Sequence, residues 1–211
     1  MPRRSPLTAS LALLALGAFA APARAEDGPP QPEAAAAPAP AQLATPIVHA
    51  LGLMTAMRLS EAYLWPSPFA ETGRLKLGQH YNEAYSRPPL WNNSLPLFEE
   101  DGDRWQINVV GHGLFGSELY LRARTCHAPP WQALLFAGLA SATWEYGFEA
   151  SGVRPSALDL TFTPAAGLVL GEARFVAWRA ARRLNPSPLR STLAALVDPF
   201  GELERALGTP C

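Results

Sequence analysis

The sequence predicts an all-α protein: a compact bundle of three principal helices with a leading helix and short C-terminal helices, following a signal peptide and a disordered linker. Three observations predict it. A capping residue followed by proline, the signature of a helix start, occurs at Thr45-Pro46, Thr163-Pro164 and Asp198-Pro199. Polar residues recur four apart on apolar stretches, at Asn108/His112, Glu118/Arg122 and Glu145/Glu149, the spacing of one helix face. Gly167 and Gly171 frame a small-xxx-small seam, which lets two helices approach closely.

Residues 1–25 read as a secretory signal. Arg3 and Arg4 supply the positive start, Leu11 to Ala20 the apolar stretch, and Ala23-Arg24-Ala25 a small-x-small cleavage site before Glu26. Residues 26–44 form a Pro/Ala-rich linker with too little large apolar surface to offset the entropy of ordering. The helical domain is expected over 45–211. Its leading helix should run from Thr45-Pro46 to about Tyr63 and stop before Pro66. The stretch 67–100, rich in Pro, Asn and aromatics, shows no period and is expected to be a long packed loop.

After the turn EEDGD at 99–103, a helix is expected from about Arg104 to Arg124, and a second from Trp131 to about Ala150. Ser156 opens a helical turn, and Thr163-Pro164 begins a further helix to about Leu184. Proline deep inside one continuous helix costs about 3 kcal/mol, so two pieces or a kink are expected there. Two short tail helices follow, restarted at Asp198-Pro199 and stopped at Gly208.

The formal net charge of −1 gives no bulk electrostatic case for nucleic acid as a partner. G-x-S-x-G, a phosphate-cradling glycine loop, H-E-x-x-H, C-x-x-C and an EF-hand loop are all absent from the sequence, so it carries none of these catalytic or metal-binding signatures. Export permits a disulfide, and two cysteines, Cys126 and Cys211, allow one intramolecular pairing; whether they pair is left open.

The polar residues on the apolar helices are Asn108, His112, Glu145, Glu149, Asp159 and Glu172, and they form the candidate cluster. His112, among Val109, Val110, Leu114 and Phe115, reads either as a core histidine or as an acid/base or ligand. Gly138, Ser141, Glu145 and Glu149 fall along one stripe: its small residues favour close helix packing, and its carboxylates repel unless a cation or proton is shared. Arg154 is the nearest cation in sequence. Ser156 and Asp159 have capping-box spacing. Glu118 and Arg122 read as a solvated pair. Five arginines between 174 and 190, with no acid among them, suit a helix end or an anionic lipid surface. Only one histidine is well placed, and a catalytic zinc usually takes three protein ligands, so no metal and no cofactor is expected.

The run DGDRWQINVVGHGLFGSELYLRAR, followed by SATWEYGFEASGVRPSALDLTFTPAAGLVLGE, resembles the bacterial family of domain of unknown function 3943 over about residues 95–185. The matching positions are Asn108, His112, Gly116-Ser117, Arg124, Trp144-Glu145-Tyr146, Glu149, Pro155-Ser156, Asp159-Leu160, Thr163-Pro164, Gly167 and Gly171-Glu172. Gly113 and Arg154 depart from the pattern, with proline and an acid expected there. A looser similarity is to VanZ-like and YfiM-like envelope proteins. The resemblance implies an envelope protein with closely packed helices and implies no reaction.

Two functional readings follow. One is a non-enzymatic exported protein in the periplasm, peripherally associated with a membrane, the outer membrane favoured. Its partners would be envelope lipids or an outer-membrane protein. The other is a small membrane-proximal hydrolase acting on lipid or envelope polymer through Glu145 or Glu149 as general base.

Overall fold

The computed structural model describes residues 40–71, 73–209 and 211. The expected signal peptide, and the linker before residue 40, lie outside the described residues. Helix α1 spans Ala44–Leu64, α2 is a single turn at Pro66–Phe69, and α3 spans Arg74–Ser86. A π-helical turn, Gln106–Gly111, runs into α4, His112–Thr125. Helix α5, Pro130–Thr143, continues through a π turn at Trp144–Phe148 and a 3-10 turn at Glu149–Ser151. Helix α6, Ala157–Ala166, passes through a third π turn, Gly167–Gly171, into α7, Glu172–Arg182. The tail helices are α8, Pro188–Val197, and α9, Pro199–Ala206. No strand occurs among the described residues, and the all-α class is the one the sequence predicts.

Helix α4 is the axis of the bundle. Every residue from Phe115 to Ala123 is buried, so α4 lacks the polar stripe of a surface helix. It packs against α5, α6 and the π turn Gly167–Gly171. Phe115, Leu119, Tyr120 and Ala123 meet Ala133, Ala137, Ala140 and Trp144 of the α5 strip, with Ala50 and Met54 of α1 closing the cluster. A side chain such as Leu119, with no exposed surface, contributes about 2 kcal/mol by leaving water. The close approach of α4 to the third principal helix depends on glycine. A Cβ on Gly167 would stand 2.8 Å from the Gly116 carbonyl oxygen, and one on Gly116 would overlap the Thr163 carbonyl. Gly171 lies as tightly against Tyr120, whereas Gly138 has room beside Pro164.

Three expectations are corrected. Residues 67–100 are not one long loop, because α3 occupies 74–86. Only Ala84 of that helix is buried, so it has no apolar stripe to reveal it in sequence. It is held from outside: Tyr81 and Tyr85 donate hydroxyl hydrogen bonds to the carbonyls of Gly147 (2.8 Å) and Tyr146 (3.0 Å). Pro164 does not divide the helix, for α6 continues past it and the register widens only at Gly167–Gly171. Thr45 does not cap α1, which begins at Ala44 with Leu43 before it and Pro46 in the first turn. Downstream, Asp198 accepts from the Gly201 N–H at 2.9 Å and caps α9. Among the described residues, no helix is long and apolar enough to cross a membrane.

Candidate functional site

Three helix segments and one loop converge beside the start of α4. The π turn before α4 carries Asn108, and His112 opens α4 itself. The π turn at 144–148 carries Glu145, with Glu149 just beyond it. The first turns of α6 carry Ser156, Asp159 and Thr163. The loop between α3 and α4 lies over this junction: the Leu90 N–H donates to the Pro155 carbonyl, and the Ala157 N–H donates back to Leu90. Single π turns inside α-helices are uncommon and recur at functional sites. Here two of the three carry cluster residues, Asn108 in the first and Glu145 in the second.

The cluster is interior: Glu145 is 1% exposed, Asp159 2%, His112 6% and Glu149 8%. Thr163 Oγ1 lies 3.0 Å from His112 Nδ1, and Asp159 Oδ2 lies 3.5 Å from His112 Nε2. Ser156 Oγ accepts from the Asp159 N–H at 3.1 Å, which is half of the expected capping box. The reciprocal half is displaced, because Glu145 Oε2 takes the Ser156 N–H at 2.7 Å. Asp159 is thereby free to face His112. Asp101 supports the rim, accepting from the Ser156 hydroxyl (2.6 Å) and from Asn108 Nδ2 (2.9 Å). A cavity of about 70 Å3 opens among Asp101, Glu145, Glu149, Arg154, Ser156 and Asp159.

Burial governs the electrostatics. It pushes the Asp159 carboxyl up to about 9, with the Asp101 and Glu149 charges adding to the effect. Burial raises Glu145, and neighbouring Glu149 and Asp159 raise it further. Glu149 is raised by burial and then by Glu61 and Asp103. Burial also lifts Glu61, to about 7. His112 is pushed down to about 4 by burial, so its imidazole is neutral at neutral pH.

Arg154 does not close the cluster as the sequence suggests. It forms no salt bridge with Glu145, Glu149 or Asp159, and its Nε is buried without a partner. Glu172 does not join either. It lies on the far side of the glycine seam, where Arg124 donates to it at 2.8 Å and the Tyr120 hydroxyl at 2.9 Å. Thr163 and Asp101 were missed as site residues, since in sequence they read as a helix cap and as part of a turn. The hydroxyls of Ser156 and Thr163, three residues before and four after Asp159, were the signal available for Thr163.

A second polar cluster occupies the middle of α4. Glu118 and Arg122 are not a solvated pair but are 4% and 2% exposed. Arg122 donates to Glu118 (2.9 Å) and to Asp198 (2.7 Å), and it lies 3.1 Å from Glu204. Arg174 binds Glu118 Oε2 at 2.8 Å and Ser117 Oγ at 2.7 Å, so one of the five arginines is spent inside the fold. His49 Nδ1 lies 2.8 Å from Glu204 Oε1. Beside this cluster is a cavity of about 190 Å3 reaching Cys211, which is disulfide-bonded to Cys126.

No curated protein and no solved structure matches the chain. A family model matches residues 97–200, a span that holds the π turns, α4 to α8 and every member of the acid–histidine cluster except the flanking Glu61. Over that span, just under half of the chain, the protein matches the family described as Domain of unknown function (DUF3943).

Proposed function

We propose that the protein is exported to the cell envelope and rests there against an anionic membrane surface without catalysing a reaction. The observation that carries this reading is the outer face of the tail helices. Leu189, Leu193 and Leu196 of α8 follow an i, i+4, i+7 spacing and are exposed, as are Phe200, Leu203 and Leu207 at the end of the chain's helical part. Arg179 and Arg183, on and just after the adjoining α7, are exposed as well. Apolar stripes beside unpaired arginines suit lipid acyl chains and anionic headgroups together. Helix α5 adds a third exposed stripe, Trp131, Leu135 and Leu139. The Cys126–Cys211 disulfide supports export, since such bonds persist in oxidising compartments.

The cluster at His112 supports the non-catalytic side of the reading. Burial raises its carboxyls, which disfavours the ionised form that a general base needs. Its cavity of about 70 Å3 is several-fold smaller than the ~300–1,000 Å3 of small-molecule pockets, and a lipid or polymer chain does not fit.

Fractionation of the native envelope tests the reading. The protein is expected in the membrane fraction, released by carbonate or high salt, with Glu26 as the first residue of the mature chain. Binding to vesicles containing anionic lipid should weaken in a Leu193→Ser/Leu196→Ser variant. Retention until detergent is added, recovery with the soluble fraction, or sequencing that starts at Met1 or Pro2 would each overturn it.

A further inference from the structure

We propose that His112, Glu145 and Asp159 bind a divalent first-row transition-metal ion, zinc being the reference, in the interior of the bundle. The sequence argues against a metal, because it offers one well-placed histidine. The fold supplies what the sequence hides. One ligand atom from each of these three residues lies within 4.8 Å of the other two. Bonds of 2.0–2.2 Å to a common ion hold ligand atoms about 3.3–3.6 Å apart, so side-chain shifts of about an ångström complete the site. His112 Nε2 and Asp159 Oδ2, at 3.5 Å, already have that separation.

His112 and Glu145 are each oriented by a partner that leaves a coordinating atom free. Thr163 Oγ1 engages His112 Nδ1, which fixes the ring and turns Nε2 toward the carboxylates, as the outer hydrogen bond of a metal-bound histidine does. The Ser156 N–H holds Glu145 Oε2, while Oε1 is buried without a partner. Asp159 Oδ1 is also buried and unpartnered, and so is Oε2 of Glu149, which lines the same cavity and is available as a fourth donor. Unpartnered carboxylate oxygens this deep each cost the desolvation of a charged or polar group. A divalent ion satisfies them together, and a neutral imidazole with two carboxylates balances its charge. An imidazole mixed with carboxylates favours zinc or its neighbours over calcium or magnesium, which prefer oxygen alone.

This inference is independent of membrane binding. Its test uses untagged mature protein with its disulfide intact, stripped with chelator and dialysed. Titration with zinc chloride is expected to show one equivalent bound and a rise in melting temperature. Cobalt(II) at the same site should give visible d–d absorption. Glu145→Gln and Asp159→Asn, nearly isosteric, are expected to keep the helical circular dichroism of the metal-free protein and lose more than tenfold in zinc affinity. His112→Ala should lose the cobalt spectrum. Failure of wild type to take up zinc, cobalt or manganese overturns the proposal. So does uptake that is unchanged in Glu145→Gln and Asp159→Asn, which would place the ion elsewhere.

Discussion

The two polar clusters on α4 solve the same problem by opposite means. At the Arg122 cluster the buried carboxylates of Glu118 and Asp198 meet guanidinium groups: Arg122 touches both, Arg174 covers Glu118, and Arg205 lies 3.6 Å from Asp198. At the His112 cluster three buried carboxyls have no guanidinium within salt-bridge distance, and their pKa values rise instead. Charge in a low-dielectric interior must be matched by a counter-charge or removed by a proton. The first cluster is therefore a fixed structural joint, and the second is one whose charge can change.

The sharpest way to break this contrast is at Arg122. Arg122→Met leaves Glu118 and Asp198 buried without their main cation, and unfolding in urea is expected to show a loss of about 3–5 kcal/mol. The corresponding change in the other cluster has the opposite sign. Glu145→Gln removes a buried carboxyl that must take up a proton on folding, so metal-free protein should hold its stability or gain up to about 2 kcal/mol at pH 8. A loss at Glu145 as large as that at Arg122 would mean that both clusters are fixed ionic joints.

Titration sharpens the same point. The raised carboxyls of Glu145, Glu149 and Asp159 hold protons more tightly in the folded state, so their stabilisation is complete below the ordinary carboxylate range. It is lost as pH rises through about 9 for Asp159. His112, lowered to about 4, acts in reverse and costs stability as pH falls from about 6.5. Melts of metal-free protein are thus expected to decline from pH 6.5 to 9, less steeply in Glu145→Gln. A flat wild-type profile over that range would remove the distinction between the clusters.

Smaller effects test how the second cluster is framed. Ser156→Ala removes the cap of α6 and a hydroxyl to Asp101, and about 1–2 kcal/mol should be lost in thermal melts. Tyr85→Phe removes one bond to the π turn at Tyr146, on an exposed face. A loss of about 0.5–1 kcal/mol is expected, with faster amide exchange confined to 144–148.

The sequence made some of this legible and hid the rest for physical reasons. Proline after a capping residue marked α9, and helical spacing brought Asn108, His112, Glu145 and Glu149 to light, because both are local signals. The Gly167–Gly171 seam was visible for the same reason. Its counterpart Gly116 was not, since its need for a bare backbone comes from Thr163, which lies in another helix. Glu118 and Arg122 looked solvated because their partner Asp198 is 76 residues further along the chain. Arg154, the nearest cation in sequence to Glu145 and Glu149, forms no salt bridge with either, because short separation in sequence does not set the direction of a side chain around a turn. Helix α3 carries almost no buried residue, so nothing in its pattern distinguished it from the aromatic loop that follows.

The Arg122 joint also sets an order of events in time. His49 of α1 meets Glu204 of α9 across 155 residues, and the charges in the middle of α4 are answered by α7, α8's end and α9. Before those segments are present, α4 holds charges it cannot bury, and the contacts that reward closing so long a loop do not exist. A chain ending before Asp198 is therefore expected to leave Arg122 and His49 without their Asp198 and Glu204 partners, and its first helix should show weak amide protection.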